Sequence, residues 1–324
     1  MTVRSERAGG STGILLMAYG SPEHPDQVEE YFTHIRGGRA PDAGAVASLR
    51  RRYEMVGGRT PLLRITEEVR AALESTLRAE AGGGYRVYAG MKHWHPFIAD
   101  VMQTMKEDGV EHVIAVALAP HYSRISIGGY RSAVDAAHAQ LGSPFRVTFV
   151  DSWHLQPRFL DLVAAQVRSS HAAFDGGPED IVTVFTAHSL PVRIREWNDP
   201  YERQLLESSE AVATRAGLVD WRFAWQSAGH TGEPWLGPDI LEKLDQLRAE
   251  GVRRVLQVPI GFVSEHLEIL YDIDIEAREH AAALGITLAR TALPNATPAF
   301  VRTLVAVVAD AERPSVPAPE LARA

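Results

Sequence analysis

The segment Phe185-Thr186-Ala187-His188-Ser189-Leu190-Pro191 closes a strongly apolar run, and Leu16-Met17-Ala18-Tyr19-Gly20-Ser21-Pro22 closes another near the start of the chain. Alanine and proline fall in register between the two, so Tyr19 and His188 hold equivalent positions. A second pair keeps the same order: Asp108-Gly109-Val110 leads into the apolar run 113–118 as Glu250-Gly251-Val252 leads into 255–260. Together they read as a weak internal repeat. Apolar runs at 14–18, 85–89, 113–118, 146–150, 181–186, 222–226 and 255–260 have the length of buried strands, and amphipathic stretches at 65–78, 97–107, 130–140 and 239–250 lie between them. Such alternation builds parallel sheets flanked by helices. The expected fold class is therefore α/β: two similar doubly wound, Rossmann-like domains with parallel sheets and a cleft between them. The expected division is 12–150 and 151–312, with flexible tails at 1–11 and 313–324.

The bulk of the chain agrees with this reading. Its 324 residues exceed what one hydrophobic core usually spans, and 45% hydrophobic with 23% charged residues is an ordinary globular composition. A net charge of −8 argues against a nucleic-acid partner, which would need a dense cationic face. The absence of cysteine excludes disulfides, cysteine-ligated zinc and cysteine-ligated iron–sulfur clusters. No stretch approaches the 18 or so apolar residues of a membrane span, so a cytoplasmic protein without stable membrane insertion is expected, acting as a monomer.

Open α/β sheets bind ligands beyond the carboxyl ends of their strands, so the residues there are the first candidates. They are Tyr19, the segments 91–95 and 120–122, His188, and the segments 227–230 and 262–266. His188 stands at a strand-to-loop boundary, where a neutral imidazole could bind a divalent metal or take a proton. With 13 histidines in the chain, a structural role is the alternative for any one of them. The run Ser264-Glu265-His266-Leu267-Glu268-Ile269-Leu270-Tyr271-Asp272-Ile273-Asp274-Ile275-Glu276 reads as a helix with Ser264 as N-cap, placing Glu268, Asp272 and Glu276 on one face at i, i+4 and i+8. Like charges at that spacing oppose one another by roughly 0.2 to 0.5 kcal/mol per pair. The stripe is either a solvated face or, given the large apolar neighbours, a column of carboxylates leading into a cleft. Arginines beside aromatic residues and glycines in 31–39, 50–53 and 57–61 suit a flat anionic ligand, although surface arginines are common. His93 and His95 could form a two-histidine metal site, but no carboxylate lies near them in sequence. Trp153, Trp197, Trp221, Trp225 and Trp235 read as core.

These segments together resemble the ferrochelatase family, in particular its soluble bacterial coproporphyrin ferrochelatases. The matching stretches include 17–20, 31–36, 52–54, 57–58, 90–93, 118–121, 187–191, 199–201, 225–227, 234–238 and 261–272, in the family order over nearly the whole chain. The His-Ser-Leu-Pro turn at 188–191 and the start His266-Leu267-Glu268-Ile269-Leu270-Tyr271-Asp272 are the most specific. The resemblance implies that a cleft holds the macrocycle, with His188 and Glu268 as the catalytic pair and inner iron ligands and with Asp272 and Glu276 as an outer relay. Tyr19 would be the axial ligand of the product iron, and Arg36, Arg52, Tyr53, Thr60 and Tyr130 would contact the porphyrin and its carboxylates. Thr60 stands where the family commonly has serine. Gly37 stands where soluble relatives often carry a second arginine, so that grip would be weaker or supplied by Arg39. Glu265 replaces a common aspartate, a change expected to be harmless.

The implied reaction is insertion of Fe2+ into coproporphyrin III, giving coproheme in haem b biosynthesis. No cofactor beyond the substrate iron is expected, and a transient hand-off to a downstream coproheme-processing enzyme is implied. His188 would remove pyrrole protons, an unperturbed imidazole being largely neutral at cellular pH. The polar, arginine-bearing segment 36–52 favours the four-carboxylate porphyrin over protoporphyrin IX. Three other readings are a protoporphyrin IX ferrochelatase, a cobalt or nickel chelatase for a precorrin-like ring, and a non-catalytic tetrapyrrole- or haem-binding protein using Tyr19.

Overall fold

The computed structural model describes residues 11–81, 84–174, 180–229 and 231–313. The expected tails lie outside these residues except for Ser11 and Arg313.

The run Gly-Ile-Leu-Leu-Met-Ala has no polar alternation because it is buried on both faces, as the central strand of a parallel sheet must be. It forms β1 (Thr12–Ala18). Three strands join it: β2 (Tyr85–Met91), β3 (His112–Ala117) and β4 (Arg146–Val150), in the spatial order β2-β1-β3-β4, all parallel. The second half repeats the plan. β5 (Ile181–His188), β6 (Trp221–Gln226), β7 (Arg254–Val258) and β8 (Thr287–Arg290) lie in the order β6-β5-β7-β8, again all parallel. The repeat read from the sequence is therefore a repeat of structure, with β1 matching β5 and β3 matching β7.

The glycine correspondence has a physical cause. α4 (Ile98–Glu107) and α8 (Ile240–Ala249) end alike, with Gly109 at φ +71° and Gly251 at φ +91°. Val110 N–H donates to the Met105 carbonyl and Val252 N–H to the Leu247 carbonyl. A left-handed glycine lets the last carbonyls be satisfied while the chain turns into the next strand.

Alternate side chains of β1 enter different layers. Leu15 and Met17 pack with α4 and α5 (Ile127–Gln140). Ile14 and Leu16 face the opposite way, into a core shared with α3 (Leu62–Ala81), α6 (Pro157–Ala172), α7 (Tyr201–Ala216) and α10 (Pro298–Glu312). Phe185 and Ala187 of β5 and Leu256 and Val258 of β7 enter that same core from the other sheet. The far face of the second sheet is covered by α8 and α9 (Arg278–Ala283). One layer of helices thus lies between the two sheets and belongs to both. α1 (Val28–Ile35) and α2 (Ala43–Met55) stand apart from these layers, between β1 and α3 in sequence.

Three features differ from the sequence reading. β8 was not expected: it is four residues long and none of its side chains is fully buried, so it lacks the apolar run that marked the others. His188 ends β5 itself rather than following it. The acidic segment is a π-helix over Glu268–Ala277, not an α-helix.

Candidate functional site

In both sheets the chain leaves the central strand toward one neighbour and later returns on its other side, so a crevice opens at the carboxyl ends of β1 and β3 and again of β5 and β7. Tyr19 follows β1. His188 ends β5, and the segment after β7 runs through Gly261 to Glu268. Gly261 is required here, because a Cβ on it would lie 2.7 Å from that of Ala187, directly before His188.

The His188 Nδ1–H donates to the Ser189 carbonyl, which fixes the tautomer and turns Nε2 toward Glu268 Oε1 at 3.4 Å. The Tyr201 hydroxyl donates to the His188 carbonyl at 3.0 Å, holding the strand end. Glu268 Oε2 lies 3.5 Å from His266 Nε2, whose Nδ1 sits 2.9 Å from the Ser264 carbonyl. Glu268 is thus flanked by two imidazoles. The side chains of His188 and Glu268 are 32% and 34% exposed.

Burial opposes charge on both members of the pair. For His188 the Glu268 carboxylate, its hydrogen bond, the Ser189 carbonyl and Asp272 outweigh burial and raise the imidazole to about 9. For Glu268, burial is overcome by His188 and His266, which hold the carboxyl well below its usual range. His188 is therefore an imidazolium in the metal-free site at neutral pH, not the largely neutral base expected from its unperturbed value. The cause is the partner that the sequence could not place 3.4 Å away.

Outward from Glu268 the acids change character. Asp272 is buried, and burial together with Glu268 pushes its carboxyl up to about 6 despite Ser227 and Arg52. The Ser227 hydroxyl donates to Asp272 Oδ2, and Arg52 Nη1 reaches Asp272 Oδ1 at 3.4 Å while its guanidinium lies 4.8 Å from the Tyr271 ring centre. Ser227 adopts φ +60°, a costly conformation for a residue with a Cβ and one that clusters at functional sites. Glu276 is exposed. The three acids thus run from the cleft through a buried step to solvent. In a π-helix each residue advances by less than the 100° of an α-helix, so the i, i+4, i+8 spacing still keeps them on one side.

Tyr19 is 42% exposed in the cleft, its ring centre 4.6 Å from that of His93. Partial desolvation, with the Glu268 charge next, pushes the phenol well up. Arg36 caps the end of α1 and is exposed, and Arg39 Nε donates back to its carbonyl at 3.3 Å, so Arg39 does lie beside Arg36 across Gly37. Tyr53, Thr60 and Tyr130 are less available than expected. Tyr53 is 2% exposed with its hydroxyl 3.1 Å from Ser21 Oγ, and Thr60 Oγ1 donates to the same Ser21 oxygen at 2.9 Å. Burial pushes the Tyr53 phenol up to about 12. Tyr130 is buried beneath the Lys92 ammonium, 5.2 Å from its ring centre. All three are buried.

His93 and His95 do not converge. His93 Nδ1 meets His34 Nδ1 at 3.1 Å, and burial, with Lys92 and His34, pushes His93 down to about 3; His95 packs against Phe97. Of the tryptophans read as core, Trp153 and Trp225 are buried, whereas Trp197 is 39% exposed beneath Arg124 and Arg193. His266, Ser227 and Lys92 lie in the strand-end segments 262–266, 227–230 and 91–95 but were given no individual role. Adjacency to Glu268 marks the first, and only their place at strand ends marks the other two.

Among the described residues no three His, Asp or Glu side chains converge as a closed metal site would. His188 and Glu268 offer two donors and leave the rest of an ion's coordination sphere open.

The family described as Ferrochelatase matches residues 11–312. The chain is 50% identical over 298 residues to the Ferrochelatase of Herpetosiphon aurantiacus, covering 92% of this chain and 98% of that one. It is 42% identical over 299 residues to the Coproporphyrin III ferrochelatase of Anoxybacillus flavithermus, covering 91% and 95%. Among solved structures, SirB from Bacillus subtilis with Fe3+ is similar in fold, with a TM-score of 0.58 at 11% identity, covering 93% and 95%. DR2241 from Deinococcus radiodurans, a multi-domain protein with structural similarity to chelatases, gives 0.56 at 16% identity; this chain spans 56% of its length.

Proposed function

Because the chain belongs to the ferrochelatase family and so catalyses metal insertion into a porphyrin, we propose that it inserts Fe2+ into coproporphyrin III, with His188 and Glu268 receiving the ion and handling the pyrrole protons. The observation that carries the site assignment is Glu268 flanked by His188 at 3.4 Å and His266 at 3.5 Å, at the cleft end of an acidic column.

Insertion exchanges one Fe2+ for two pyrrole protons. In the metal-free site the negative Glu268 and the positive His188 satisfy each other. An arriving ion binds Glu268 and displaces the proton from His188 Nε2, since both compete for the same lone pair. Asp272, able to hold a proton near neutral pH and hydrogen-bonded to Ser227, passes protons toward exposed Glu276. Once the ion passes from Nε2 to the ring nitrogens, Nε2 takes the two displaced pyrrole protons in turn and hands each on to the acidic column, because Nδ1 remains committed to the Ser189 carbonyl. Tyr19 approaches the iron of the product. This scheme uses the chain's own side chains, the porphyrin and Fe2+, and no further cofactor. The product would pass to an enzyme that processes coproheme.

The substrate choice rests on charge. Arg36, Arg39, Arg51 and Arg59 are exposed on the segment that includes α1 and α2, and guanidinium forks match carboxylates. A porphyrin with four carboxylates uses such a rim better than one with two. The relative from Anoxybacillus flavithermus bears a name consistent with this choice. Anaerobic insertion assays with coproporphyrin III and protoporphyrin IX side by side test it: faster turnover of coproporphyrin is expected, and a clear preference for protoporphyrin would refute the assignment.

A further inference from the structure

Arg290, the last residue of β8, uses all of its guanidinium N–H groups. Nε donates to Asp274 Oδ1 at 2.8 Å and Nη2 to Asp274 Oδ2 at 2.7 Å. Nη1 donates to Glu265 Oε1 at 3.1 Å and Nη2 to Glu265 Oε2 at 3.0 Å, while Nη1 also reaches the Thr291 carbonyl at 3.2 Å. Five donors meet five acceptors, which is the full capacity of the group. The arginine side chain is 14% exposed, so the two forks are largely shielded from water.

The two carboxylates bracket Glu268. Glu265 belongs to the turn that enters the π-helix, and Asp274 lies within that helix, beyond Asp272. One planar cation therefore ties the entry and the middle of the segment to a neighbouring strand. The π-helix is a rarely adopted form whose wider turn needs support from outside itself. Released, the segment would tighten toward i→i+4 bonding, each residue would advance by about 100°, and Asp272, although still on the Glu268 side of the helix, would rotate away from Ser227. The longer arm of Glu265, expected to be a neutral departure, is one of the two points of attachment.

We infer that Arg290 is a positioning residue that sets the register of the π-helix and thereby the placement of Glu268 and Asp272 for metal. This rests on the reading of those acids as the metal-handling column. Arg290 touches neither the ion nor the porphyrin.

The test compares wild type with Arg290→Lys, whose single ammonium keeps the charge but cannot span both forks. Glu265→Gln, which loosens one fork only, serves as a second variant if Arg290→Lys does not fold. Expected in the variant are Co2+ binding to porphyrin-free protein weakened about tenfold, the lower end of what loss of an outer partner costs a metal ligand, and a raised KM for Fe2+. The KM for porphyrin should be close to wild type, whereas the denaturant midpoint should fall because the forks are largely shielded. Hydrogen exchange should quicken at 268–277 and not in β5 or β7. Faster exchange with unchanged Co2+ affinity would overturn the inference, as would parallel losses of porphyrin binding, metal binding and midpoint. Absence of iron insertion by the wild type would refute the functional reading instead, while the Co2+ and exchange measurements would still judge Arg290.

Discussion

With the His188 imidazole raised to about 9, only about one site in a hundred holds it neutral at pH 7. A metal ion can bind only that form, so binding must expel a proton. Between pH 7 and 8.5 the apparent affinity for a stable surrogate such as Co2+ should rise close to tenfold per pH unit, about 1.4 kcal/mol each, and level off near pH 9. Asp272, at about 6, contributes little in this window. Burial opposes charge on His266 too, and Glu268 with the Ser264 carbonyl raises it. The assay is titration calorimetry at pH 7.5 in buffers of different ionisation enthalpy, which counts protons directly. Glu268→Gln supplies the control: without the carboxylate, burial acts unopposed by its main counterweight, the imidazole falls toward or below 6.5, and proton release at pH 7.5 should nearly vanish. The affinity itself will also drop, so the proton count is the decisive quantity. No proton release in wild type, or equal release in Glu268→Gln, would refute the argument.

Two shorter predictions follow from the same geometry. His188→Ala should abolish insertion while porphyrin still quenches protein fluorescence with near wild-type affinity; retained turnover would remove His188 from the mechanism. Gly20→Ala should destabilise the fold by about 2 kcal/mol or more, since a Cβ there meets Trp94 Cβ at 2.7 Å in a left-handed conformation at φ +94°, read as a shifted denaturant midpoint.

Much of this architecture was legible because burial on two faces leaves uninterrupted apolar runs, and because Gly109 and Gly251 mark equivalent helix ends. The pairing of Tyr19 with His188 by position also survives, since β1 and β5 are the matching central strands. β8 was illegible because an edge strand of four half-exposed residues carries no such run. The π-helix was illegible for a different reason: carboxylates every four residues fit either helix. The protonation of His188 and the role of Ser227 depend on contacts between distant segments. Tyr53 and Thr60 could be named, but not that both hydroxyls would be spent on Ser21.

The helical layer that serves both sheets limits how this molecule can breathe. A hinge between its halves would have to tear one continuous apolar core, with Phe300 of the C-terminal helix and Leu73 of α3 on the same contact surface as Phe185. A shared core of this kind ties Tyr19, at the end of the first sheet, to His188 and Glu268, which both belong to the second. The slack lies elsewhere: α1 and α2 are anchored by few buried side chains, chiefly Val28, Tyr31, Val46 and Tyr53. Poorly anchored elements open first. A broad planar guest would therefore enter more easily by displacing the arginine-bearing segment than by parting the two sheets.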